Sequence, residues 1–134
     1  MIHTGGCLCG GVRYESREDA VDSGYCHCRM CQILSGSAVL PWASFSIDAF
    51  VYNKGEPKIY QSSSYGQREF CANCGSQIAF RASHPSRTIE INVGTLDDPE
   101  RINPKYHIWC DSRIPWFETD DDAPRYPRSG PEGS

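Results

Sequence analysis

Seven of the eight cysteines fall into three tight groups: Cys7-Leu8-Cys9, Cys26-His27-Cys28-Arg29-Met30-Cys31 and Cys71-Ala72-Asn73-Cys74. Cysteines one or two residues apart are poorly placed to bridge one another, because a disulfide wants its α-carbons about 5.5 Å apart and a matching torsion. The same spacing suits two thiolates gripping one tetrahedral ion, with zinc–sulfur bonds of about 2.3 Å. The groups divide unevenly. The pairs Cys7/Cys9 and Cys71/Cys74 complete one closed four-sulfur site that would tie early chain to late chain. The triplet Cys26/Cys28/Cys31 makes a three-sulfur site with one position left over. In zinc chemistry the closed kind is structural and the open kind reacts. The spacing therefore predicts two zinc ions per chain, one structural and one catalytic.

The fourth ligand of the triplet could come from His27, His107, Cys110, a water or a substrate. His27 lies between two ligand cysteines, so its side chain should point away from an ion they grip. In an extended segment over residues 106–110, Cys110 shares a face with Tyr106 and Ile108, as a buried small hydrophobe would. An open position remains the favoured reading. Three thiolates leave zinc with formal charge −1, a weak Lewis acid that still lowers the pKa of a bound thiol. Thiol addition to an aldehyde, or the reverse carbon–sulfur cleavage, fits such a site better than peptide hydrolysis. Arg29, Arg68 and Arg81 could meet the carboxylates of an anionic thiol peptide such as glutathione. His107 reads as a satisfied structural histidine, and Trp42, Trp109 and Trp116 read as core.

The elements that position these groups are mostly of period two. Val12 and Tyr14 alternate with Arg13 and Glu15, and Ile89, Ile91 and Val93 alternate with Thr88, Glu90 and Asn92. Further strands are expected around Ile78 and Phe80 and over residues 37–42, 50–53, 58–62, 67–70 and 106–110. Short turns such as Asn53-Lys54-Gly55, His84-Pro85-Ser86 and Asp97-Asp98-Pro99 between them argue for antiparallel sheets. Only residues 28–34 look helical, stopping at Ser35-Gly36. The helix start would place Cys28 and Cys31 on one face, where partial positive charge favours thiolates. Both metal pairs are followed by glycine, which tolerates the positive φ of a metal knuckle.

The 134 residues suggest one domain, residues 1–117, and an Asp-, Pro-, Gly- and Ser-rich stretch at 118–134 expected to be a disordered tail. Leu, Ile, Val and Phe total 24, a level at which hydrophobic burial alone rarely folds a chain. A small core with metal staples resolves this, since a structural zinc contributes on the order of 10 kcal/mol to folding. The first residues lack a charged start and apolar run, and no stretch reaches the roughly 20 apolar residues of a membrane helix. The expected setting is the cytoplasm, where thiols stay reduced. Seven thiolates on two zinc ions would take the net charge from −4 to about −7, a poor start for binding nucleic acid.

Gly6-Cys7-Leu8-Cys9-Gly10-Gly11-Val12-Arg13-Tyr14, the triplet with Gly36 following, and Phe70-Cys71-Ala72-Asn73-Cys74-Gly75-Ser76 together closely resemble the glutathione-dependent formaldehyde-activating enzyme family, which shares its domain with centromere protein V. Asn92-Val93-Gly94-Thr95-Leu96-Asp97 and His107-Ile108-Trp109, with Ser112 and Trp116, extend the likeness. The resemblance implies a mainly β fold, a β-tent of several coiled antiparallel sheets related to a zinc chaperone of Rab GTPases. It assigns a structural zinc to Cys7, Cys9, Cys71 and Cys74 and a catalytic one to Cys26, Cys28 and Cys31. The implied activity joins glutathione and formaldehyde into S-hydroxymethylglutathione, a carbon–sulfur lyase reaction. The alternative from another class is a non-catalytic zinc-stabilised binding module.

Overall fold

Alternation decides which side of each strand meets the core. In the computed structural model, which describes residues 2–83 and 85–131, the strands run in the order β1 (His3–Gly6), β2 (Arg13–Ser16), β3 (Asp22–Cys26), β4 (Leu40–Ser46), β5 (Phe50–Lys54), β6 (Lys58–Ser63), β7 (Gly66–Phe70), β8 (Gln77–Ala82), β9 (Thr88–Asn92) and β10 (His107–Ile108). Met1, His84 and residues 132–134 lie outside the described residues, and with them one end of the expected 84–86 turn and the last of the expected tail. The α-helix, α1 (Arg29–Ser35), starts one residue later than expected. Cys28 is its N-cap, and Gly36 closes it in the left-handed conformation at φ 68°.

The protein is mainly β. A three-stranded sheet, β1-β2-β5, packs against a seven-stranded one in the order β10-β3-β4-β9-β8-β7-β6. Between the named strands of the described residues every pairing is antiparallel except β10 with β3, which is parallel and joins strands about 80 residues apart. The core lies between the sheets. Ala43 and Phe45 of β4, Ile89 and Ile91 of β9 and Ile78 of β8 meet Tyr14 of β2, all almost fully buried. Each Ile or Phe so buried contributes roughly 1.5–3 kcal/mol. The alternate residues of the same strands, Trp42 and Ser44 of β4 and Glu90 and Asn92 of β9, turn to the opposite face of the large sheet.

The chain after Phe117 departs from the expectation of a disordered tail. Residues 124–128 lie beside β10, held by backbone hydrogen bonds from His107 N to Pro124 O (2.8 Å), Tyr126 N to His107 O (2.9 Å) and Trp109 N to Arg128 O (2.8 Å). The Tyr126 ring packs edge-on to Tyr106, and Gly130 is buried. Composition misleads here because the segment gains its place by pairing with a sheet edge rather than by burying apolar side chains. No helix among the described residues is long and apolar enough to cross a membrane.

Candidate metal centres and active site

Two cysteine groups come together as the spacing predicts. Cys7 and Cys9 sit in the turn after β1, and Cys71 and Cys74 in the turn between β7 and β8, so the group spans the junction of the two sheets. Its four sulfurs lie within 4.8 Å of one another, with Cys7–Cys9 at 3.6 Å and Cys9–Cys71 at 3.8 Å. A tetrahedron with bonds of 2.3 Å has edges of about 3.8 Å, so the spacing fits one ion. The two turns share one design. Cys7 Sγ accepts from Val12 N at 3.2 Å and Cys71 Sγ from Cys74 N at 3.5 Å. Gly10 and Gly75 take φ of 78° and 79°, the conformation expected of the glycines after each pair. The Ser76 hydroxyl, followed by the Ser76 N–H, pulls the Cys74 thiol down to about 5.

The second group is Cys26, at the end of β3, with Cys28 and Cys31 at the start of α1, again within 4.8 Å. Cys31 N donates to Cys28 Sγ at 3.3 Å, so the helix cap and the sulfur cluster are one structure. Cys28, accepting hydrogen bonds from Cys26 and then Cys31, is held far below the ordinary thiol range. Cys26 is pushed far above it by Cys28 and Cys31. Three thiols this close cannot all ionise alone, and a cation among them removes that penalty. The donor set, three sulfurs without a carboxylate, fits a soft or borderline metal ion.

Among the described residues no fourth protein ligand joins the triplet. His27 is buried and points away, its Nε2 2.8 Å from His107 Nδ1. Burial first, and then the charge of His107, lowers its pKa to about 4. His107 is satisfied on both sides, with Nε2 3.2 Å from Asp121 Oδ1. Cys110 lies outside both sulfur groups, half-buried at the start of a 3-10 turn. The extended alternation expected over 106–110 stops at Trp109, whose φ of 57° is left-handed. That turn lets Trp109 face the same cavity as its neighbour Ile108.

The triplet opens into a cavity of about 590 Å³, the size of small-molecule sites. Trp42, Tyr106, Ile108 and Trp109 form apolar walls, which corrects the reading of Trp42 and Trp109 as core; Trp116 is largely exposed. A cross-strand row runs over its floor. Asp22 pairs with Ser44, Ser44 with Glu90, Glu90 with Phe80, and Phe80 with Arg68. Burial raises the pKa of Glu90, which accepts from Ser44 Oγ at 2.9 Å and Thr88 Oγ1 at 3.1 Å. Of the three arginines considered, Arg68 alone lines the cavity. Arg81 is paired with Glu69, and Arg29 with Gln32 of its own helix. Asp22 and Glu90 escaped notice because an outward-facing acid on a strand reads as solvated, and only the curl of the sheet turns that face into a cavity wall.

The sequence matches the family model described as glutathione-dependent formaldehyde-activating enzyme over residues 2–112. The chain belongs to that family. Among its relatives is an uncharacterized lyase of Schizosaccharomyces pombe (strain 972 / ATCC 24843), 25% identical over 111 residues, covering 83% of this chain and 80% of the relative. A crystal structure of a Rhodobacter sphaeroides protein has the same fold, with a TM-score of 0.58 and 20% identity over 91% of this chain and 98% of that one. Membership of a formaldehyde-activating enzyme family and a relative named lyase place the chain among lyase-like enzymes.

Proposed function

We propose that the protein is a zinc-dependent carbon–sulfur lyase that joins a small thiol, glutathione in the first instance, to a small aldehyde such as formaldehyde, giving S-hydroxymethylglutathione. One observation carries this reading. The three-sulfur group opens into a cavity and, among the described residues, lacks a fourth protein ligand, whereas the four-sulfur group closes on itself at the sheet junction. Cys7, Cys9, Cys71 and Cys74 would hold a structural zinc, and Cys26, Cys28 and Cys31 a catalytic one. Held by Cys26, Cys28 and Cys31, zinc would supply the Lewis acidity that lowers the pKa of a thiol in the cavity and favours its nucleophilic thiolate at neutral pH.

The chain's own groups do the rest. Cys28, fixed by the Cys31 amide, anchors the site to the first turn of α1, so the reacting sulfur meets a rigid helix end. Trp42, Tyr106, Ile108 and Trp109 shield the reacting carbon from bulk water, which strengthens polar interactions inside. The eight free cysteines suit a reducing compartment, in keeping with the cytoplasm.

Metal analysis should find two zinc ions per chain, and glutathione titration should release a proton on binding. The protein should speed the approach to equilibrium between thiol, aldehyde and adduct above the uncatalysed blank. Equal rates for wild type, Cys28→Ser and the blank would favour the non-catalytic binding module, which has no need of an open cavity.

A further inference from the structure

Arg68 is the odd residue of this cavity. It is 7% exposed, yet no carboxylate pairs with it among the described residues. Glu69, its neighbour in β7, faces the other way to Tyr52 and Arg81. The guanidinium lies 4.6 Å from the centroid of the Phe80 ring, and Nε donates to Ser62 Oγ at 3.3 Å. Nη1 and Nη2 each stand 3.9 Å from Cys31 Sγ. Arginine carries five N–H donors in a fixed plane. Ser62 and Cys31 account for three, which leaves two on a group that lines the cavity beside the sulfur cluster. The thiolate charge at Cys31 offsets part of the cost of burying this cation, and the two N–H donors left over can still take a further anion in the cavity. Arg68 is also the sole Lys or Arg among the described residues lining the cavity, whose other charged side chains are Asp22 and Glu90.

We infer that Arg68 is a catalytic residue of the thiol–aldehyde reaction, binding the aldehyde oxygen and stabilising the alkoxide formed there. The inference rests on the function proposed above. The group that arrives next to the attacking sulfur is the carbonyl, whereas the carboxylates of a thiol peptide lie several bonds away. Arg68 sits at the sulfurs, so it meets the carbonyl. In the addition, a sulfur lone pair of the deprotonated thiol forms the new C–S bond, and the C=O π pair moves onto oxygen. The resulting alkoxide rests against the free N–H groups of Arg68. A proton from solvent, equal to the one released when the thiol bound, then gives the neutral hydroxyalkyl thioether. The reverse reaction runs the same steps backwards with no net oxidation or reduction.

The test compares zinc-loaded wild type, Arg68→Lys and Arg68→Met, each checked for metal content and melting temperature. Loss of one oxyanion donor typically lowers rate by about 10²–10³. We expect Arg68→Met to lower kcat/KM for the aldehyde by about 10²-fold and Arg68→Lys to recover part of it. The dissociation constant for glutathione should move less than about threefold. An equal loss in glutathione binding would overturn the inference, because Arg68 would then hold a substrate carboxylate. Parallel loss of zinc and rate would also overturn it, leaving Arg68 as a support for Cys31.

A second measurement needs no turnover. Alkylation of the cysteines by iodoacetate, which adds a carboxymethyl group, and by iodoacetamide, which adds a neutral carbamidomethyl group, is followed by intact mass. An anion site at Arg68 favours iodoacetate, and that ratio should fall about tenfold in Arg68→Met. An unchanged ratio counts against the inference. If wild type is no faster than Cys28→Ser, the proposed function fails and Arg68's catalytic role fails with it. The alkylation ratio then reports separately whether the residue presents an anion site.

Discussion

Metal at the four-sulfur site should carry far more of the fold than metal at the triplet, and the loops that each closes set the size of the difference. The site at the sheet junction joins Cys9 to Cys71 across 62 positions. Closing a loop of that length in the unfolded chain is worth about 4 kcal/mol in chain entropy alone. The whole stability of a domain this size is typically about 5–15 kcal/mol. The triplet spans only residues 26–31 and is already organised by the start of α1, so breaking it reopens no long loop. Cys71→Ser should therefore lower the melting temperature by more than about 10 °C or leave the protein insoluble, and Cys28→Ser should lower it by a few degrees. Both are read by thermal unfolding alongside metal content, where Cys28→Ser is expected to keep one zinc per chain. The reasoning is refuted if Cys71→Ser melts within a few degrees of wild type. Equal destabilisation by the two variants would refute it as well.

Cys110→Ala should keep both zinc ions and cost about 1–2 kcal/mol in lost packing; loss of one ion on metal analysis would show that Cys110 closes the triplet. Burial raises the folded-state pKa of Glu90, so its carboxylate opposes folding once pH rises above the unfolded value. Glu90→Gln should accordingly raise the melting temperature at pH 7–8 and leave it nearly unchanged below about pH 4, and a gain confined to acid would contradict the assigned cause. Truncation after Phe117 removes the carbonyl partners of the His107, Trp109 and Cys110 amides. It should lower the melting temperature by several degrees and speed hydrogen exchange at those amides, whereas a disordered tail predicts no change.

The cysteine groups, the α-helix and the alternating strands were legible because each writes its geometry into short-range spacing. β1 and β3 were not. His3-Thr4-Gly5-Gly6 and Asp22-Ser23-Gly24-Tyr25-Cys26 are poor in β-branched residues. Their glycines serve close approach instead: a Cβ on Gly24 would lie 2.8 Å from Trp42 Cζ2 and from Tyr106 O. Steric demand from a distant wall thus removed the local strand signal. The cavity was hidden for a related reason. Glu90 between Ile89 and Ile91 is an ordinary polar-out residue until β3, β4 and β7 bring Asp22, Trp42 and Arg68 around the same face. The polar tail was misread because its backbone pairing with β10 leaves no trace in composition.

The order of the cysteines along the chain also bears on how the protein is made. Synthesis runs from the N-terminus at about 5–20 residues per second, and structure forms as segments emerge. Cys7 and Cys9 leave the ribosome first, Cys26, Cys28 and Cys31 follow, and Cys71 and Cys74 come last. For several seconds the nascent chain offers an early ion five sulfurs in the wrong combination, with the proper partners of Cys7 and Cys9 not yet built. With zinc at both groups, as proposed, correct loading would depend on an exchange: an ion held among the first five sulfurs would have to let go of Cys7 and Cys9 when β7 and β8 pair. On that proposal, metal supply during translation, and not only at equilibrium, would set how much correctly loaded protein is obtained.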